Sequence, residues 1–201
     1  RIPPFDRAAL LIEVELLVEW FVPHVTGMAP TDALRARFAA AWTEALDRLA
    51  DAETSIVLRD VHSPNLIWRE DRTGHDRLGL IDFQDALMGP SAYDVASLAL
   101  DARVTVPEEV ERATVDAYVA ARLRTGAFDE KSFRMAYAVM GAQRNSKILG
   151  IFVRLDRRDG KPHYLKHLPR IHAYLGRVLD HPALAEVAAL YRELGIPETA
   201  R

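Results

Sequence analysis

Between residues 54 and 90 the chain changes texture, and that change limits what it can fold into. On either side, apolar residues recur at helical spacing. Between them, "SIVL", "NLIW" and "RLGLIDF" are short and rich in branched apolar residues. Turn chemistry such as "DRTGHD" separates them. This spacing predicts two short antiparallel strands, Asn65–Trp68 and Leu78–Asp82, joined by an exposed loop. The expected class is therefore α+β, mostly helical, with one small β insert.

The helices are bounded by their punctuation. Leu10, Leu11, Val14, Leu17, Val18 and Phe21 predict a helix over Phe5–Phe21, with Pro3 and Pro4 before it and Pro23 after it. Leu34, Phe38, Trp42, Leu46 and Leu49 predict a second over Thr31–Ala52, capped by Thr31 or Asp32. After Pro90 come "SAYDVASLALDAR", with Ser91 as a candidate cap, then Pro107–Arg124, Asp129–Leu155, Tyr164–Leu179 and Ala183–Leu194. No repeat, low-complexity linker or domain boundary interrupts residues 1–201, so a single unit is expected.

Composition excludes several classes. A net charge of −3 gives no general pull toward nucleic acid or an anionic membrane. There is no cysteine, which removes disulfides, thiolate catalysis and Cys-based zinc sites. No apolar run reaches the length of a membrane span, and the start has no signal-peptide layout. A cytoplasmic location is expected. The chain does not begin with Met, which points to a fragment or a trimmed form.

The unusual polar residues lie in the β insert. Two apolar runs end on aspartates, Asp60 and Asp82, and Asn65 follows the first at five places. Such groups are costly to bury unless something binds them. One chemistry accounts for the set. A carboxylate at Asp60 orients an acceptor hydroxyl and takes its proton. Asn65 and Asp82 hold Mg²⁺ against nucleotide phosphates, since hard cations want oxygen ligands. The hairpin turns the chain back and brings Asp82 toward Asn65. Asp85 fits a helix cap or a further metal or water contact equally well.

"LRDVHSPN" resembles the catalytic loop of the protein-kinase-like superfamily, with Arg59, Asp60 and Asn65 at its spacing. "IDFQDA" resembles the metal-binding segment of its aminoglycoside phosphotransferase branch, and "GPSAYDVASL" the segment that follows there. "QRNSKILGIFVRLDRRDGKPHYLKHLPR" and "ELLVEWFVP" resemble bacterial anomeric kinases acting on N-acetylmuramate and N-acetylglucosamine. The resemblance implies a carboxyl-terminal lobe of a kinase-like fold, with the catalytic loop on the small hairpin. It implies ATP as co-substrate, Mg²⁺, and a sugar whose anomeric hydroxyl is the acceptor. It makes Asp60 the base, Asn65 and Asp82 the metal ligands, and Asp94 a support of the loop. His62 could be a base or a ligand, but with an oxygen-rich ligand set already present it reads as a histidine that fixes the loop by hydrogen bonds. Arg144, Asn145 and Lys147 become candidate contacts to the sugar; Glu13, with Glu15 and Glu19 on the first helix, fits hydroxyl contacts or a solvated helix face.

The departures are informative. Leu58 stands where this loop commonly has histidine, and Gln84 where protein kinases have glycine, which favours the small-molecule branch. No glycine-rich loop and no lysine-bearing strand precedes the first helix. The resemblance therefore places the amino-terminal nucleotide-binding lobe upstream of Arg1 and leaves this chain inactive alone. An aminoglycoside, choline-like or homoserine-like acceptor remains open, as does a kinase-like scaffold without activity. The basic groups of residues 129–170 prefer an anionic or neutral acceptor to a polycation. The other histidines show no metal-ligand spacing, the basic stretch after Arg154 reads as a solvated helix end, and Trp20, Trp42 and Trp68 read as core.

Overall fold

The chain opens with α1 (Arg7–Leu16), whose cap residue Asp6 accepts a hydrogen bond from the Ala9 amide. A π-helical turn, Leu17–Phe21, joins it to α2 (Val22–Thr26), which ends at left-handed Gly27. This corrects the expected stop at Pro23: the helix runs through the proline. A proline within a helix lacks the N–H and crowds the carbonyl four residues back. The wider turn immediately before it relaxes that crowding. The structure is a computed structural model and describes residues 2–196.

Next is α3 (Asp32–Asp47), capped by the Thr31 hydroxyl on the Leu34 amide. It ends short of the expected Ala52, because residues 48–50 form a turn. Two antiparallel pairs follow. β1 (Thr54–Val57) pairs with β4 (Leu87–Pro90), and β2 (Leu66–Trp68) with β3 (Leu78–Leu80). The β2–β3 hairpin matches the expectation with shorter strands. Asn65 belongs to a 3₁₀ turn, Ser63–Asn65, and Asp82 lies beyond β3. β4 was not foreseen, because Pro90 reads as punctuation; as the last residue of a short strand, proline is tolerated.

The rest is helical: α4 (Ala92–Ala99), α5 (Glu108–Thr125), α6 (Glu130–Asp159), α7 (Leu168–Leu179) and α8 (Ala185–Glu193). Ser91 precedes α4 without capping it, and its hydroxyl donates to Glu53 instead. α6 is the axis. From Phe133 to Val153 it is buried on nearly every face, packed against α1, the π-helical turn, α4 and α7. The crossing with the first helical segment is very close. A Cβ built on Gly150 would lie 2.2 Å from the backbone of Leu16. Trp42 is in the core and donates to the Tyr191 hydroxyl. Trp68, expected in the core, is 59% exposed under the Arg77 guanidinium. Ile67, Leu78, Leu80, Ile81 and Phe83 are exposed as well, so the hairpin shows apolar side chains on both of its sides. Among the described residues, no helix is long and apolar enough to cross a membrane.

Candidate active site

β1 delivers residues 58–65 as a loop, and β3 delivers Asp82 opposite it. Both aspartate-bearing turns use left-handed backbone, at Arg59 (φ 71°) and at Asp82 itself (φ 62°). Aspartate adopts this region more readily than most residues, arginine less so. The loop is held by side chains in place of a strand ladder. The Asp94 carboxylate on α4 accepts the Leu58 amide at 2.6 Å and the Arg59 amide at 3.0 Å. Burial raises the Asp94 pKa, and those two amides work against the rise.

The Asp60 carbonyl is the hub of the loop. It accepts the His62 amide at 3.0 Å and the Asn65 side-chain amide at 2.9 Å. The same Asn65 nitrogen reaches the Asp82 carboxylate at 3.4 Å. The Ile81 amide donates to the Asn65 carbonyl at 3.2 Å and ties the two segments together. Asn65 is thus oriented, with Nδ2 toward Asp60 and Asp82 and Oδ1 free to ligate. The second Asp82 oxygen accepts from Gln84 at 2.6 Å. Asp60 and Asp82 are exposed at the surface, whereas Asn65 is buried. Asp85 is exposed, and none of the described hydrogen bonds uses its side chain.

These donors fit a hard divalent cation. Mg²⁺ takes one or two protein oxygens and fills its octahedron from phosphates and water, and Asn65 Oδ1 with the Asp82 carboxylate is such a set. Among the described residues, no three of His, Asp and Glu cluster as a ready-made cage. A site that shares its metal with a phosphate substrate needs none.

His62 is buried beneath the loop, and Arg103 lies 2.6 Å from its Nε2. Arginine always donates, so Nε2 accepts and the ring is neutral with its proton on Nδ1. Burial lowers the His62 pKa, and the Arg103 and Arg144 cations lower it further. Asp101, 1% exposed, accepts the Ser63 amide and hydroxyl at 2.6 and 2.7 Å. Burial pushes the Asp101 carboxyl up, but these bonds outweigh it and the net shift is down. Sequence reasoning missed Asp101 and Arg103. The signal for Asp101 was weak: it follows Asp94 by seven residues, but α4 ends at Ala99 and Leu100 is already non-helical, so the helical period does not place it.

The expected sugar contacts occupy different depths. Asn145 is fully buried and donates to the Gly141 carbonyl. Arg144 is 5% exposed, with one guanidinium nitrogen unpartnered. Neither presents a side chain to solvent. Lys147 and Glu13 are half-buried and form an ion pair of 2.8 Å. Glu13 also binds the Arg59 guanidinium at 2.6 Å. Burial disfavours the Arg59 charge, yet the Glu13 carboxylate more than compensates and raises its pKa.

The chain matches the phosphotransferase enzyme family over residues 2–134. It is 38% identical over 197 residues to a Caulobacter vibrioides protein named N-acetylmuramate/N-acetylglucosamine kinase, covering 98% of this chain and 53% of that relative. Relatives of the same name from Pseudomonas putida (35% identical; 96% of this chain, 57% of the relative) and Neisseria meningitidis (37%; 94% and 56%) are similar. The chain spans about half the length of the curated relatives it matches.

Proposed function

Because the chain belongs to the phosphotransferase enzyme family, we propose that it supplies the carboxyl-terminal, catalytic-loop and acceptor-binding lobe of an ATP-dependent sugar kinase. The acceptor we assign is the anomeric hydroxyl of an amino sugar, N-acetylmuramate or N-acetylglucosamine, the sugars in the names of the relatives. One observation carries this reading: the Asn65 amide joins the Asp60 backbone carbonyl to the Asp82 carboxylate, so the residue that carries the base and the carboxylate that would hold the metal are tied to one side chain.

Asp60 aligns the acceptor hydroxyl and accepts its proton at a carboxylate oxygen. An anomeric hydroxyl is more acidic than an ordinary alcohol, so a surface carboxylate is an adequate base. Asn65 Oδ1 and Asp82 hold Mg²⁺. When bound there, the metal would supply charge compensation to the phosphates. Asp94 and His62 fix the loop from below. On the acceptor side we retain Lys147, whose side chain keeps 16% of its exposure. Arg144 and Asn145 contribute from beneath, Arg144 as a buried cation close enough to act on Asp94 and His62. The remaining nucleotide contacts are assigned to sequence outside these residues. The half-length coverage and the exposed apolar side chains of the β2–β3 hairpin support that assignment. With ATP as donor, the expected location is the cytoplasm.

The test uses full-length protein, a panel of sugars and ATP, scored by nucleotide consumption. Asp60→Asn and Asp82→Asn are each expected to lower turnover by roughly 10²- to 10⁴-fold, the scale of a lost base or charge stabiliser, with melting unchanged. Normal turnover in either variant refutes the site. Turnover of aminoglycosides in preference to amino sugars refutes the acceptor.

A further inference from the structure

We infer that Glu13 is a positioning residue: it holds the side chain of Arg59 and thereby the left-handed backbone that presents Asp60. This rests on the kinase reading for its activity measurement only. Arg59 is a strained residue at φ 71°, held on several sides. Its amide is bound by Asp94, its guanidinium by Glu13, and that guanidinium also lies 5.7 Å over the Phe5 ring. A non-glycine residue keeps such a conformation only when its surroundings over-determine it. Asp94 fixes the backbone, and Glu13 fixes the side chain.

Among the described residues, Glu13 is the carboxylate that forms the ion pairs of both Arg59 and Lys147. Its Oε1 receives both the Arg59 guanidinium and the Lys147 ammonium, while Oε2 accepts from the Gln143 amide at 3.3 Å. Gln143 is itself anchored on the Leu10 carbonyl at 3.0 Å, so the carboxylate is aimed from α6. Lys147 also reaches the Tyr93 hydroxyl at 3.4 Å, beside Asp94 on α4. Glu13 therefore ties α1, α4 and α6 to the residue before Asp60. Removing its charge strands two half-buried cations next to each other, a costlier outcome than losing a surface pair. The Arg59 Nε, already buried and unpartnered, offers no alternative anchor.

The experiment is Glu13→Gln in full-length protein, read by amide hydrogen exchange over residues 58–65 and by steady-state kinetics. Exchange over that loop is expected to accelerate. The kcat is expected to fall about 100-fold, as for a misplaced reacting group, while the acceptor KM stays within about twofold. Arg59→Met removes the pair from the loop side and gives the same pattern. The double variant is no worse than Glu13→Gln alone, because the Arg59 linkage is already broken there. Unchanged exchange in both single variants overturns the proposal. So does a raised acceptor KM with kcat intact, which would make Glu13 a sugar contact. If Glu13→Gln does not fold, Arg59→Met decides alone. If wild-type protein consumes no ATP with any sugar, the kinase reading fails and the exchange measurement still judges Glu13.

Discussion

Asp101 shows what a single buried carboxylate contributes to this loop. It holds the Ser63 amide and hydroxyl through one oxygen and the Arg103 amide through the other. Hydrogen bonds to a charged group are worth about 1.5–3 kcal/mol each, and unmet buried donors cost more. Asp101→Asn keeps the shape but loses the charge and turns one acceptor into a donor facing an N–H. Its expected cost is about 3 kcal/mol in urea unfolding, with an unchanged slope. At this scale the sequence was partly legible. The hairpin argument placed Asp82 near Asn65, and their side chains lie 3.4 Å apart. What joins Glu13 to Arg59, or Arg103 to His62, was hidden, because those pairs are separated by 46 and 41 residues. Nothing local in the chain announces such a partner.

Among the elements, the helices and the β2–β3 hairpin were readable from period and punctuation. The failures have local causes. The wide turn at Leu17–Phe21 carries the helix through Pro23, and a four-residue β4 ending in proline finds its partner in β1, thirty or more residues back. The same wide turn begins where α6 approaches most closely. Gly150 meets the Leu16 carbonyl with no room for a methyl, and backbone atoms cannot swing aside. Gly150→Ala must part the two helices. We expect a loss of about 3 kcal/mol, the upper part of the usual overpacking range. For a chain this size that lowers the melting temperature by roughly 6–12 °C, checked by calorimetry. A melting point within 1–2 °C of the parent, roughly the resolution of such scans, would mean that the approach is looser than described.

For the molecule as a whole, acid is the revealing variable. Burial lowers the pKa values of His62, His172 and His181. A base with a depressed folded pKa binds fewer protons folded than unfolded, so stability rises with pH through its range. That contribution is complete above the ordinary histidine value and is lost as pH falls below it. Asp101, held down by its donors, and Glu53, held down chiefly by Arg122, extend the loss into the carboxylate range. Asp94, raised by burial, opposes it there and favours the fold at low pH. The expected melting temperature therefore declines from about pH 6.5 downward, ahead of general carboxylate protonation. A flat profile down to about pH 5, where an unperturbed histidine is already charged, would contradict the neutral, buried His62. The loop that carries Asp60 is fastened by side-chain carboxylates and belongs to no helix. Its failure would leave the far-ultraviolet dichroism of the helices untouched. A purified batch could pass a helix-content check with this loop undone, so a probe placed in residues 58–65 reports what helix content does not.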